Sequence, residues 1–344
     1  MPYPLSPSPK RRGTEDEAHT RYTKVQHLHY LCRLNSNPLS EITKNSRSTT
    51  IGFAILILLS ITWGASFILI KKGLLAFSPM QVASLRIGIA GVAFLPFFIF
   101  NFKKIDWSQL QPLLIVGFAG SAIPALLFSI AQTQVSSSVA GVLNSLTPIF
   151  VLIQGVLFYG LILTRNKLLG VIVGFLGASL LIIGPSYFMP QVEEIVSGGD
   201  KNEWYALLLI LATYCYALSG NTIQKHFQNT SAVNLSAAAY CLVAPVGILY
   251  LLFSDFINIL QTHPDAMTSL GAILLLSLVG TVAASTLFFK LIQMTSALFA
   301  STVAFLIPIV AIGFGFLDGE QVTIYHFIGM AMILFGVYIT RRKR

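Results

Sequence analysis

The chain has 344 residues, 55% of them hydrophobic and only 10% charged, with a formal net charge of +9. A soluble protein carries roughly 25% charged residues, so no soluble fold hides this much apolar surface and the lipid bilayer is the expected solvent. Cys32, Cys215 and Cys241 lie far apart with no C-x-x-C spacing, and they give no sign of a disulfide framework or a metal site.

Residues 1–50 are polar, rich in Lys, Arg, Ser and Pro, and without apolar periodicity. They read as a disordered basic cytoplasmic tail. His27 and His29 in this tail read as a solvated pair. From residue 51 the sequence predicts ten membrane helices, at about 51–71, 80–101, 110–131, 137–160, 167–186, 204–224, 233–254, 269–291, 297–317 and 324–340. Apolar runs of about 20 residues cross a ~30 Å hydrocarbon layer as helices, and open strand edges in lipid would leave backbone groups unpaired. The expected fold class is therefore an all-α polytopic membrane protein.

The distribution of Lys and Arg sets the expected orientation. With the N-terminus inside, the inner segments hold the basic tail, Lys103, Lys104, Arg165, Lys167, Lys225 and the closing basic stretch 341–344, whereas the outer loops hold only Lys71, Lys72 and Lys201. The bases thus act as orientation signals, and no nucleic-acid partner is expected. Both termini are expected in the cytoplasm of a cell inner membrane or plasma membrane.

Sliding the sequence by about 160 residues lays Ser137–Gly160 over Ala297–Glu320. Pro148 then meets Pro308, Ala140 meets Ala300 and Gly155 meets Gly315. Upstream, Gly120 meets Gly280, and Leu127-Phe128 meets Leu287-Phe288. The chain reads as two copies of one unit, 51–186 and 204–340, joined by an outer linker at 187–203 and followed by a basic cytoplasmic end at 341–344. Five spans per copy is an odd number, so the second copy is inverted relative to the first, which is the arrangement alternating access requires.

Candidate functional residues follow from the cost of polar groups in lipid. Arg86 lies within the second span and Lys290 near the inner end of the eighth. Such charges either serve function or snorkel to the interface. If both point inward, they favour a substrate with a carboxylate or other anionic group. Asn144, Ser145 and Thr147 give the fourth span a polar patch that either lines a site or bonds between helices. Tyr214, Tyr216 and Tyr240 either line a pocket or sit at an interface. Pro148 and Pro308 each remove a helix hydrogen bond, which predicts equivalent kinks in the two halves. Gly170, Gly174, Gly177, Gly329 and Gly336 predict close helix packing, or a homodimer face. Asp318 and Glu320 read as a helix-end cap or interface marker. Patterns such as H-E-x-x-H, G-x-S-x-G and the P-loop are absent from the sequence, so neither enzymatic activity nor a cofactor or metal is expected.

The opening span with ITWGASFILIKKGL, Arg86 in the second span, and Pro308, Gly315, Gly319-Glu320, Gly329 and Gly336 near the end resemble the EamA-like transporters of the drug/metabolite transporter superfamily. The resemblance covers about 51–340. It implies ten helices in two inverted five-helix repeats, a central cavity, and export or exchange of small metabolites such as amino acids, or of drug-like compounds. It places Trp63, Ser66, Arg86, Pro148, Lys290 and Pro308 near the cavity or its gates. The family often keeps Gly-Glu at the end of the fourth helix, where this sequence reads Tyr159-Gly160-Leu161, so that acid survives only as Glu320. The expected partners are a small-molecule substrate and the bilayer. The alternative from another class is a non-transporting membrane scaffold.

Overall fold

The computed structural model describes residues 38–135, 137–188, 203–317 and 324–341. Asp318 and Glu320, the 187–203 linker apart from residues 187, 188 and 203, and most of the basic tail lie outside them. The chain divides at Ile51 and Gly52 into two units. Of the first, residues 38–51 are described and are helical. Apart from the first residues of α1, the rest of this section concerns the second unit.

Among the described residues every regular element is helical. In chain order these are α1 (Pro38–Gly73), α2 (Pro79–Asn101), α3 (Trp107–Ala131), α4 (Ser137–Asn144), α5 (Thr147–Phe158), α6 (Arg165–Phe188), α7 (Glu203–His226), α8 (Ala232–Leu252), the short α9 (Phe256–Thr262), α10 (Ala266–Met294), α11 (Ala297–Ser301), α12 (Val303–Leu317) and α13 (Ile324–Arg341). Six of the described helices are long and apolar enough to cross a membrane: Thr50–Gly73 within α1, Pro79–Lys104 around α2, α3, Trp204–His226 within α7, α8 and α10. Thr147–Phe158, Ala297–Val310 and Phe327–Thr340 are shorter apolar helices.

Local sequence sets the helix ends. At α2, Ser78 and Gln81 form a reciprocal cap: the Gln81 amide donates to Ser78 Oγ at 3.3 Å, and the Ser78 amide to Gln81 Oε1 at 2.9 Å. Pro79 follows at the first helical position, where no amide proton is required. Ser296 caps α11 by accepting from the Phe299 amide at 3.1 Å. Outward faces are apolar: Phe100 and Phe253 are each 85% exposed and suited to lipid.

Without a hydrophobic drive between helices in lipid, packing rests on close approach and interhelical hydrogen bonds. The α6–α13 contact shows this. A Cβ on Gly336 would sit 2.6 Å from the Gly174 amide nitrogen and 2.7 Å from the Gly170 carbonyl, and one on Gly177 2.9 Å from the Gly329 carbonyl. The α2–α8 contact uses Gly91 against Ala244 and Gly247 against the Ser84 backbone.

Two irregularities bear on function. First, α3 and α10 each contain a π-helical turn, Phe118–Ala122 and Leu278–Ala283, which begin 160 residues apart. Second, the expected spans at 137–160 and 297–317 are each broken, between α4 and α5 at Ser145-Leu146 and between α11 and α12 at Thr302. Pro148 was expected to kink a continuous helix. It lies instead in the first turn of α5, where its missing N–H leaves no bond unmade, so the interruption falls just before it. Pro308 lies inside α12.

Candidate functional site: a central pocket between the two halves

An open pocket with a cavity volume of about 110 Å³ lies among α1, α2, α3, the α4–α5 break, α7, α8, α10 and the α11–α12 break. Both halves of the sequence contribute to its walls. Arg86 is the only charged residue among the described lining residues. Its Nε donates to Thr281 Oγ1 in the π-turn of α10 at 2.8 Å. Trp63 donates its indole N–H to the Gly280 carbonyl of the same turn at 2.9 Å, and its ring meets Phe288 edge-on with centroids 5.1 Å apart.

The first half's π-turn has matching neighbours. Tyr216 of α7 packs on Phe128 with centroids 6.1 Å apart, as Trp63 of α1 packs on Phe288. Ser219 lies against Gly120 as Ser66 lies against Gly280. Phe128 and Phe288, and Gly120 and Gly280, are pairs that already coincide in the 160-residue repeat.

Of the residues expected at a substrate site, Trp63, Ser66, Arg86 and Asn144 line this pocket. Asn144 ends α4, and its carbonyl accepts from Thr147 Oγ1 at 2.7 Å. Next to it, Ser145 donates to the Ala304 carbonyl of α12 at 3.1 Å, tying the two broken segments together. Pro148 and Pro308 are buried, each one residue from a lining side chain, Thr147 and Ile307 respectively.

Tyr214 and Lys290 are not among the lining residues. Tyr214 is 40% exposed, packs edge-on against Phe150, and offers its carbonyl to Gln154 Nε2 at 3.0 Å. Residues two apart on a helix point about 200° apart, so Tyr216 faces the pocket and Tyr214 turns away. Lys290 is exposed, as expected for a side chain that snorkels. Sequence reasoning left out Ser121 and Ser285 of the wall, and Thr281, which holds Arg86 from behind it. Their hydroxyls carried no signal beyond polarity in an apolar run.

Chemically the pocket offers one cation, several hydroxyls and an amide between aromatic walls. It suits a small amphipathic molecule with an anionic group. Among the described residues no cluster of His, Cys, Asp or Glu could hold a metal ion.

The family model for the EamA-like transporter family matches residues 50–183 and 203–342. An uncharacterised transporter of Archaeoglobus fulgidus is 28% identical over 84% of this chain and 99% of its own length. The uncharacterised inner membrane transporter YedA of Escherichia coli K12 is 26% identical over 83% of this chain and 89% of its own. An S-adenosylmethionine/S-adenosylhomocysteine transporter of Chlamydia muridarum is 25% identical, covering 74% and 80%. A crystal structure of a protein superposes with a TM-score of 0.62 at 14% identity, covering 86% of this chain and 96% of that one, a likeness of fold alone. With the two matched segments spanning most of its length, the chain belongs to the EamA-like transporter family of the drug/metabolite transporter superfamily and is a multi-pass membrane transporter.

Proposed function

We propose that this protein is a secondary carrier that moves a small metabolite such as an amino acid, or a drug-like amphiphile, by alternating access, as an exporter or exchanger. The cargo carries a carboxylate or other anionic group that docks on Arg86 while its apolar part lies between Trp63, Tyr216 and the facing phenylalanines. The observation that carries this reading is a pocket built from both sequence halves with one cation and no acid among its described lining residues. A relative named for S-adenosylmethionine transport, an amphipathic amino-acid derivative, is compatible with such a cargo.

In this reading the bundle has ten membrane helices in two inverted five-helix repeats, 51–186 and 204–340, with both termini cytoplasmic. The paired π-turns, the Trp63–Phe288 and Tyr216–Phe128 contacts, and the Ser66–Gly280 and Ser219–Gly120 contacts support two equivalent halves around one site. Inverted halves of this kind exchange their conformations to turn the site from one face to the other. The test is flux into sealed proteoliposomes across a panel of amino acids and drug-like amphiphiles. The expected result is saturable uptake of at least one compound, competed by carboxylate analogues. Absence of flux for every compound contradicts the proposal and favours a scaffold.

A further inference from the structure

The π-turn of α10 is met by side chains from two other helices, both of them from the other half of the sequence. The Ala284 amide would bond to the Gly280 carbonyl in a regular α-helix. Here it donates to the Val279 and Thr281 carbonyls. The Gly280 carbonyl is thereby left for the Trp63 indole, which reaches it at 2.9 Å. One residue on, Thr281 Oγ1 gives its proton to the Leu276 carbonyl at 3.1 Å. With that proton committed, the hydroxyl turns a lone pair to Arg86 Nε at 2.8 Å. Thr281 is 1% exposed and Gly280 is buried, so neither contact is shared with bulk water. A Cβ on Gly280 would lie 2.9 Å from Ser66 Oγ, so glycine keeps this approach open.

We infer that Thr281 is a positioning residue for the substrate site: the π-turn of α10 fixes Arg86 and Trp63 as one preoriented pair, and Thr281 sets the preference for an anionic cargo. The inference rests on the docking role of Arg86 proposed above and deepens it. The bond to Thr281 uses Nε alone, so the two terminal nitrogens remain to offer a carboxylate an end-on fork. Holding a long, rotamer-rich side chain in place before the ligand arrives removes part of the ordering cost of binding. The first half's π-turn supplies the contrast. It carries Ser121 where the repeat places Thr281, yet α8, the counterpart of α2, contains no charged residue. Of the two equivalent turns only that of α10 holds a cation, and among the described lining residues the pocket is charged at one side only.

The test reads binding directly. The chain has three tryptophans; with Trp107→Phe and Trp204→Phe, Trp63 alone reports from the pocket. The purified full-length chain is titrated with benzoate and with benzamide, its uncharged isostere, and Trp63 quenching is followed. The expected result is saturable quenching that favours benzoate. Thr281→Val weakens benzoate by about five- to tenfold, the scale of one ordinary hydrogen bond, because the lost contact acts through Arg86 and not on the ligand; it leaves benzamide within about twofold, and is rescued by Thr281→Ser. Unchanged benzoate binding in Thr281→Val, equal loss of both probes, or no rescue by serine overturns the inference. Arg86→Ala separates it from its premise. If that variant loses the benzoate preference while Thr281→Val keeps it, only the positioning role fails. If the background protein shows no benzoate preference, or Arg86→Ala keeps it, the docking role of Arg86 fails too.

Discussion

Arg86→Ala lowers kcat/KM for a carboxylate-bearing substrate by about 10- to 100-fold, while an uncharged or cationic compound that is also transported changes by no more than about threefold. The size follows from the setting. A charge-assisted hydrogen bond in a partly dry site contributes about 1.5–3 kcal/mol, and in this pocket no other described lining residue carries a charge that takes over. Removing the guanidinium also leaves the ligand's anion facing aromatic walls, where an uncompensated charge is costly. Arg86→Lys keeps the charge but loses the planar fork and the Nε bond to Thr281, so it falls between alanine and the native residue. Initial-rate flux with matched anionic and neutral substrates measures both. Equal losses for the two would remove the charge-docking idea.

Gly120→Leu abolishes flux, as does Gly280→Leu, whereas exchanging the glycine and serine at the first contact retains much of it. At Gly120 any Cβ runs into Ser219 Oγ, with Ser219 Cβ only 3.0 Å away. At Gly280 the obstacle is Ser66 Oγ at 2.9 Å, with Leu276 Cδ1 at 3.3 Å. A leucine at either place overpacks a tight interface, typically at about 1–3 kcal/mol, and it does so where α3 meets α7 or where α10 meets α1. In the proposed alternating-access cycle these are the contacts that the two halves slide past one another. The exchanged pair Gly120→Ser with Ser219→Gly keeps the volume and swaps which helix carries the hydroxyl. It is expected to retain at least about a third of native flux, the cost of a volume-conserving change, while Gly120→Ser alone retains far less. If the exchange is no better than the single change, the contact is not a pairwise fit.

Much of the helical framework was legible because lipid permits few solutions. A run of apolar residues in the bilayer must close its own backbone bonds, so composition and length located α1, α2, α3, α7, α8 and α10 to within a few residues. Arg86 was legible for the same reason, since a cation in such a run is too costly to be incidental. Lys290 had the same signal but sits near a helix end, where four methylenes let the ammonium escape. Facing was harder to read. Hydrophobic periodicity is flat in helices that are apolar all round, so the choice between Tyr214 and Tyr216 had no sequence basis, and only Tyr216 lines the pocket. The π-turns were not legible either. A register change of one residue leaves no mark in composition, and only the coincidence of Gly120 with Gly280 pointed at the place. Thr281 was missed with them, because its bond to Arg86 depends on the turn. The proline repeat was legible, but its consequence differed: Pro148 begins a half-helix, whereas Pro308 lies within one.

The most direct test of a shared cavity turned alternately to each face is two-sided access to one of its residues. Ser66 lines the pocket and is 6% exposed. Ser66→Cys is introduced into a chain whose Cys32, Cys215 and Cys241 are replaced by serine or alanine, and proteoliposomes are treated with a charged, membrane-impermeant thiol reagent from outside or from within. The account predicts reaction from both faces, each slowed by a transported substrate, with flux lost as labelling proceeds. Reaction from one face only, at a rate that no substrate alters, would contradict it.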